Sequence, residues 1–124
     1  MKFSIKNRIQ SFKHAIQGCN ALIKNEHNFR VHIFAALVAM CLSIVFQVSS
    51  IEFIFVLGAV FLVFILEAIN TSIEYLCNYL TIERDESIKK IKDVSAFAVL
   101  LSAIYAFVVG LVIFVPKILQ ILIK

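Results

Sequence analysis

Three long apolar stretches set the structure that this chain can adopt. Residues 31–48 are interrupted by three polar side chains, residues 53–66 are apolar without a break, and residues 94–115 carry no charge. An α-helix of about 20 apolar residues crosses the roughly 30 Å hydrocarbon core of a bilayer. Hydrophobic residues make up 61% of the 124 positions, whereas about 45–50% is usual in soluble domains. The sequence therefore predicts an all-α membrane protein with three transmembrane helices, at about 31–48, 51–80 and 94–115.

The segment before the first span has a different pattern. Between about residues 3 and 25, apolar side chains recur at steps of three and four residues, with lysine, glutamine and asparagine between them. This spacing predicts an amphipathic helix that lies on the membrane surface. Such a helix can serve as a basic anchor or as a lid that grips a substrate, and the residues leave both roles open.

The second predicted helix, residues 51–80, is longer than a membrane requires. Its 30 residues would measure roughly 45 Å, about 15 Å more than the hydrocarbon core, so we expect its last turns to stand in the aqueous phase. A charged loop at 81–93 follows, and Pro116 is expected to end the third helix. The whole chain, residues 1–124, is expected to form a single domain. Because it is short, a sizeable aqueous cavity would need several copies, so an oligomer is expected.

Positive charge is concentrated in two segments that three spans place on the same side of a membrane. Ten of the 12 lysines and arginines lie in the N-terminal segment or between residues 84 and 92. Cytoplasmic segments carry an excess of such residues. We therefore predict that the N-terminus and the 81–93 loop are cytoplasmic and that the C-terminus lies on the opposite side. The net charge of +4 fits a surface next to anionic lipid and requires no nucleic acid partner.

Two glutamates interrupt the apolar pattern of the second helix. Glu67 and Glu74 are seven residues apart, which separates them by roughly 10 Å along the axis and by about 20° around it. Asn70, Thr71 and Asn78 share this face. A charge inside a span costs about 2.5–3.5 kcal/mol on insertion scales and normally marks function. This polar stripe is therefore the candidate site.

The two carboxylates are expected at different depths. If the helix begins at the membrane edge near residue 51, Glu67 lies just inside the bilayer and Glu74 projects into the cytoplasm. One can then meet a lipid and the other a soluble substrate. Four further polar residues are expected at this level, just before the first and third spans: Glu26, Arg30, Lys92 and Asp93.

This set of residues contains what phosphoryl transfer needs. Carboxylates can hold Mg²⁺, a lysine can neutralise phosphate charge, and one carboxylate can deprotonate an attacking hydroxyl. With 3 glycines, the chain cannot form either common glycine-rich phosphate loop. Polar contacts that hold helices together and an ion or proton path are the other readings of the same residues. His14, His27 and His32 are interpreted as interfacial residues.

The second class of function left open is a non-enzymatic oligomeric membrane protein, such as an ion-conducting or structural subunit. An ion path needs polar groups along most of a helix. Residues 53–66 offer none over half of the bilayer, which argues against permeation.

The segments around the carboxylates resemble one family closely. The similarity is carried by NEHNFRVH at residues 25–32, EAINTSIE at 67–74 and IKDVSAFAVLLSA at 91–103. These segments resemble the bacterial integral-membrane diacylglycerol kinase and undecaprenol kinase family, from about residue 12 to residue 116. The resemblance implies a homotrimer of three-span protomers in the bacterial inner membrane, with active sites shared between neighbours at the cytoplasmic interface. It also implies ATP and a membrane lipid alcohol as substrates and Mg²⁺ as cofactor.

The resemblance also implies roles for individual residues. In that family the first glutamate of the motif, here Glu67, takes the proton of the lipid hydroxyl, and Asn70 supports the reacting centre. Glu74 and Glu26 hold the magnesium ions that bridge the ATP phosphates. The nucleotide-binding set implied by the resemblance comprises Glu26, Glu74, Lys92, Asp93, Glu83, Arg84, Asp85, His14 and Asn7. The lipid substrate is expected beside Glu67, Arg30 and Ala96.

Two features bear on the substrate and on variation within the family. Asn78 stands where many members have an aspartate. His32 and the ending FVPKIL are more similar to the undecaprenol-type members, whereas the general family label is diacylglycerol kinase. Both lipids present a primary hydroxyl at the same depth and differ in their tails. Either lipid is therefore a candidate substrate.

Overall fold

Four α-helices make up the regular structure of the chain. The computed structural model describes residues 2–124, with α1 (Ile5–Asn25), α2 (His27–Val45), α3 (Ser50–Leu80) and α4 (Glu86–Leu122). The last three helices are each long and apolar enough to cross a membrane. Many of their large apolar side chains are exposed, Phe34 and Val112 among them, as expected where the surroundings are apolar. The predicted fold, an all-α protein with three candidate spans after an N-terminal helix, is confirmed.

The N-terminal helix α1 lies apart from the other three. All of its residues are exposed or half-buried, including the apolar side chains of Ile9, Phe12 and Ile16. It ends because Glu26 has an extended backbone, with φ −108° and ψ 108°, and this residue is at once the first residue after α1 and the N-cap of α2. The apolar side chains of α1 are thus free to meet a membrane surface, which is where the sequence places them.

The turn between α2 and α3 is short and well hydrogen-bonded. Gln47 has a φ of 48°, in the left-handed region that glycine usually fills at the end of a helix. Its N–H donates to the carbonyl of Ile44, and the next N–H, of Val48, donates to the carbonyl of Ser43. This pair of bonds is a Schellman motif. It reverses the chain within four residues, so α3 returns alongside α2.

The connection between α3 and α4 is shorter than predicted. The sequence predicts a charged loop at 81–93, but α4 begins at Glu86, so the loop is confined to residues 81–85. The reason is the cap that Asp85 provides. Its carboxylate accepts hydrogen bonds from the N–H groups of Ser87 and Ile88 at 2.7 and 3.1 Å, which satisfies two donors that the start of a helix leaves without partners.

The prediction that Pro116 ends the third long helix is wrong. α4 continues through this proline to Leu122. Proline removes one backbone hydrogen bond, but membrane-spanning helices tolerate it where neighbouring helices support the backbone. That support is present, because Ile113 and Phe114 are buried before the proline and Lys117 forms an ion pair of 3.2 Å with Glu52 at the start of α3.

The three long helices run antiparallel in chain order, and α3 and α4 form the most extensive contact. At one end of the bundle, Val56, Ile113 and Phe114 form a buried apolar cluster. The ring of Phe46 lies 6.2 Å from that of Phe114. We call these four residues the Phe114 end. The opposite end, called the Glu67 end, contains four buried polar side chains: Glu67, Asn70, Thr71 and Ser95.

Candidate functional site

Glu67 is the most deeply buried carboxylate of the second span. It lies on α3 with 3% of its surface exposed, and the antiparallel arrangement brings His32 of α2 beside it. The imidazole Nε2 is 3.8 Å from the carboxylate Oε2. The rings of Phe29 and Phe64, each one helical turn from this pair, have centroids 5.3 Å apart and fix α2 against α3 at this level. A buried carboxylate therefore faces an imidazole in an apolar setting.

Asn70 links α3 to α4 one turn beyond Glu67. The hydroxyl of Ser95 donates a hydrogen bond of 2.7 Å to Asn70 Oδ1, and both side chains are buried. The neighbouring Thr71 is 2% exposed, and its hydroxyl has no hydrogen-bond partner among residues 2–124. Buried polar groups are normally paired, so this layer of the bundle is not arranged for stability alone.

Glu26 is the N-cap of α2, and Glu74 lies near the C-terminal end of the neighbouring helix α3. The hydroxyl of Tyr75, which follows Glu74 in the chain, donates a hydrogen bond of 3.3 Å to Glu26 Oε1. Both carboxylates are half-buried. The three glutamates that the sequence singled out thus lie at the same end of the bundle, and Glu67 is the most buried of them.

The donor set at this level fits a magnesium ion that arrives with a phosphate ligand. Within the described residues, histidine, cysteine, aspartate and glutamate form no group of three or more that could hold a metal ion. Mg²⁺ takes six oxygen ligands and is usually held by one or two carboxylates together with substrate phosphates and water. Glu26 and Glu74 can supply two such carboxylates. An all-protein metal site is not present in residues 2–124.

Lys92 is held against the end of α3. Its ammonium group donates a hydrogen bond of 2.6 Å to Asn78 Oδ1, one turn past Glu74. Asn78, at the position where the family often has an aspartate, therefore contacts the lysine as a neutral acceptor. The neighbouring Asp93 turns the other way and pairs with Lys89 of its own helix at 2.7 Å, where both are well exposed.

The remaining predicted residues lie further from Glu67 or are engaged locally. On α1, His14 contacts Gln17 at 3.3 Å, and the backbone carbonyl of Asn7 accepts from Ser11. The guanidinium of Arg30 donates to the carbonyl of Lys24 at 3.4 Å. Four others are exposed on the loop or on α4, and Asp85 among them caps α4: Glu83, Arg84, Asp85 and Ala96. Their predicted contacts with nucleotide or lipid stay predictions.

An apolar groove opens between α2, α3 and α4 next to the buried pair. Its volume is about 580 Å³, and small side chains such as Ala35, Ala106 and Gly110 line it. His32 lines the groove as well and contacts Glu67. The groove therefore ends beside the carboxylate, and its apolar length suits a hydrocarbon chain.

The sequence analysis does not predict three contacts at this site: His32 with Glu67, Tyr75 with Glu26, and Ser95 with Asn70. It interprets His32 as an interfacial residue and assigns no role to Tyr75 or Ser95. The sequence does contain a signal for His32. This residue lies near the start of the first span and Glu67 lies in the later part of the second. Consecutive antiparallel spans bring such positions to the same height in the bundle. For Tyr75 and Ser95 the sequence holds no comparable signal, since their partners depend on how the helices are rotated.

Three candidate spans with buried carboxylate, amide and hydroxyl groups at one end define a small helical membrane protein with a polar site at one end of its bundle. Residues 13–114 match the family described as prokaryotic diacylglycerol kinase. An undecaprenol kinase of Bacillus subtilis (strain 168) is 32% identical over 108 residues, which are 87% of this chain and 88% of that protein.

Two further relatives are named diacylglycerol kinase. The protein of Synechocystis sp. is 30% identical over 118 residues, 94% of this chain and 67% of its own length. The protein of Haemophilus influenzae is 31% identical over 94 residues, 76% of this chain and 80% of its own length. The chain therefore belongs to the prokaryotic diacylglycerol kinase family, and the resemblance found in its motifs is confirmed.

Membership of this family defines the chain as a lipid kinase, an enzyme class that uses a lipid and a nucleotide as substrates. The predicted enzyme class is confirmed. The alternative, a non-enzymatic ion-conducting or structural subunit, is set aside.

Proposed function

We propose that this protein transfers the γ-phosphoryl group of ATP to the hydroxyl of a membrane lipid alcohol, diacylglycerol or undecaprenol, in a Mg²⁺-dependent reaction. The observation that carries the proposal is the position of Glu67. This carboxylate is buried at the end of an apolar groove, and two half-buried carboxylates, Glu26 and Glu74, lie beyond it, at the start of α2 and near the end of α3. A lipid hydroxyl and a nucleotide phosphate can meet there.

Glu67 is the proposed general base. It accepts the proton of the lipid hydroxyl as the hydroxyl oxygen attacks the γ-phosphorus of ATP. The new oxygen–phosphorus bond forms, the bond to the β,γ-bridging oxygen breaks, and ADP leaves. A positioned base contributes about 10²–10⁴-fold to such a step, and no covalent enzyme intermediate is required. Asn70, whose oxygen is engaged by Ser95, keeps two N–H donors for the reacting centre.

Glu26, Glu74 and Lys92 form the proposed nucleotide side. The two carboxylates supply oxygen ligands for magnesium, which would neutralise phosphate charge. Lys92, held by Asn78 at 2.6 Å, can place its ammonium group against the phosphates. Because the chain lacks a glycine-rich phosphate loop, these side chains take over that function.

The groove is the proposed path of the lipid chain. Its lining is almost entirely apolar, with His32 as the polar exception, so it can accept an acyl or a prenyl chain. The apolar lining of the groove favours neither an acyl nor a prenyl chain. Diacylglycerol and undecaprenol, the lipids in the names of the relatives, are therefore both candidate substrates. The proposed location is a bacterial inner membrane, with α1 and residues 81–85 on the cytoplasmic side as the charge distribution predicts.

We further propose that the protein works as a homotrimer. A chain this short cannot enclose a sizeable aqueous site by itself, and its three spans leave many large apolar side chains exposed, which neighbouring protomers can cover. Neighbouring protomers would enclose the nucleotide between their Glu67 ends.

Parallel transfer assays test this proposal. The purified protein in lipid vesicles is given ATP labelled at the γ-phosphate with diacylglycerol, with undecaprenol or with neither. We expect label in one lipid or both, no transfer in excess chelator, and recovery when Mg²⁺ is restored. The ratio of the two rates identifies the preferred lipid. ATP hydrolysis that is independent of added lipid, or transfer to neither lipid, would contradict the proposal.

A further inference from the structure

The contact between His32 and Glu67 has features of a proton path. The imidazole Nε2 lies 3.8 Å from Glu67 Oε2, which is longer than a direct hydrogen bond but short enough for one to form after a small side-chain movement. Within residues 2–124, His32 is the one basic side chain this close to Glu67. The two side chains differ in access to the surroundings, since Glu67 is 3% exposed and His32 is 22% exposed. The imidazole is thus the more accessible neighbour of a buried carboxylate.

The proposed reaction leaves a proton that must be removed. The lipid hydroxyl loses one proton per phosphoryl transfer, and Glu67 holds it afterwards. A protonated Glu67 cannot act as base in the next turnover. Because the carboxylate is buried, water cannot collect this proton freely. Another group has to carry it outwards.

Three other charged groups face this level from the surrounding elements: Glu26 at the N-cap of α2, Glu74 on α3 and Lys92 on α4. In the proposed function Glu26 and Glu74 hold magnesium, and a metal-bound carboxylate is a poor proton acceptor. Lys92 carries its own protons and is bonded to Asn78. Imidazole, in contrast, accepts a proton on one nitrogen and releases one from the other near neutral pH.

We propose that His32 takes the proton from Glu67 after each transfer and releases it to water at the Glu67 end of the bundle. The proton leaves the Glu67 carboxyl for Nε2, and Nδ1 gives up its own, so the imidazole returns to its starting state once the tautomer is exchanged. His32 is a positioning and proton-carrying residue that acts through Glu67 and does not touch the reacting atoms. This role rests on the proposed function.

Chemical rescue tests the role. In His32→Ala we expect kcat to fall by about 10- to 100-fold, with KM for lipid and ATP nearly unchanged. Free imidazole should restore much of the lost rate, because the removed side chain lined an open groove. His32→Gln keeps an amide N–H near the position of Nε2 but cannot carry a proton. We expect it to fold with the wild-type melting temperature and to remain slow.

His27 supplies the matched control, because it is an exposed histidine on the same helix. His27→Ala should keep the wild-type rate and should not respond to imidazole. Glu67→Gln should be slow and insensitive to imidazole. A His32→Gln variant with full kcat, or a folded His32→Ala variant that imidazole does not accelerate, would overturn the role of His32 and leave the proposed function intact. Absence of lipid phosphorylation by the wild type would instead overturn the proposed function.

Discussion

The two ends of the helix bundle satisfy their buried groups in different ways. At the Phe114 end, apolar side chains pack against one another, and the helix ends nearby are closed by a Schellman motif and by a capping box between Ser49 and Glu52. At the Glu67 end, a buried carboxylate has an ion-pair partner at 3.8 Å, and the hydroxyl of Thr71 has no partner in the described part of the chain.

Within the same three helices, one end of the bundle stabilises the fold and the other end holds the candidate reacting groups. Buried polar groups without ideal partners cost free energy and are retained where function needs them. Apolar packing at the Phe114 end offsets that cost and keeps the helices in register. The Glu67 end can therefore hold buried polar groups that are not fully paired. Truncation of apolar side chains at the Phe114 end should therefore change stability, whereas loss of a carboxylate at the Glu67 end should change the rate.

The largest effect is expected for Glu74→Gln. Loss of a carboxylate ligand should lower the transfer rate by about 10³-fold at low Mg²⁺, or about 4 kcal/mol of transition-state stabilisation. Raising the Mg²⁺ concentration should restore part of the rate, which initial rates measured across a magnesium titration will detect. Glu86→Gln, at an exposed carboxylate in the first turn of α4, is the control. An equal loss at every Mg²⁺ concentration would remove Glu74 from the metal site.

Ile113→Ala should show the opposite behaviour. Removal of this buried side chain, which does not line the groove, should destabilise the protein by about 3 kcal/mol, because a cavity is left that the helices cannot fill completely. The melting temperature in detergent should fall while the rate per folded molecule stays unchanged. Val112→Ala, at the preceding and exposed residue, should change neither. A slow Ile113→Ala variant with wild-type stability would break the separation between the two ends.

Ser95→Ala should have a smaller effect on stability. It removes the hydrogen bond to Asn70 between α3 and α4, and such bonds in membrane helices contribute about 1 kcal/mol. Ser72→Ala is the matched control, since that hydroxyl bonds to the carbonyl of Ala68 on its own helix. Denaturation in mixed detergent measures both. Equal stability of the two variants would mean that the Ser95–Asn70 bond does not hold α3 to α4.

Gln47→Gly should stabilise the protein slightly. The left-handed backbone at Gln47 costs a residue with a side chain about 1–2 kcal/mol, and glycine avoids this cost. Glycine also raises the conformational entropy of the unfolded chain, which offsets part of the stabilisation. A net increase of about 0.5–1 kcal/mol is expected from thermal unfolding. Gln47→Ala keeps the strain and should show no gain. A lower stability of Gln47→Gly would contradict the account of this turn.

Much of the fold could be predicted because it depends on properties that are local in sequence. Apolar length predicted three candidate spans, and the seven-residue spacing of Glu67 and Glu74 placed both on one face. The start of α4 was also readable, since Asp85 followed by Glu86 and Ser87 is a good helix cap. The predicted helix end at Pro116 was wrong because contacts with α3, which is distant in sequence, hold that part of α4 in place.

The site could be predicted only in part, for a related reason. The glutamates were identified from their cost inside a span and from the family motif. The contacts of His32 with Glu67 and of Ser95 with Asn70 depend on the rotation and register of neighbouring helices. No short-range pattern encodes these quantities. The groove likewise exists only once three helices are assembled.

The most direct test compares two carboxylate-to-amide substitutions on the same helix. Glu67→Gln should lower lipid phosphorylation by at least about 10²-fold, with the melting temperature unchanged or raised because a buried charge is removed. Glu52→Gln, at the other end of α3, should lower the melting temperature by weakening the cap and the ion pair with Lys117, with a rate per folded molecule within about twofold of wild type. A folded Glu67→Gln protein that phosphorylates lipid at the wild-type rate would contradict the central claim.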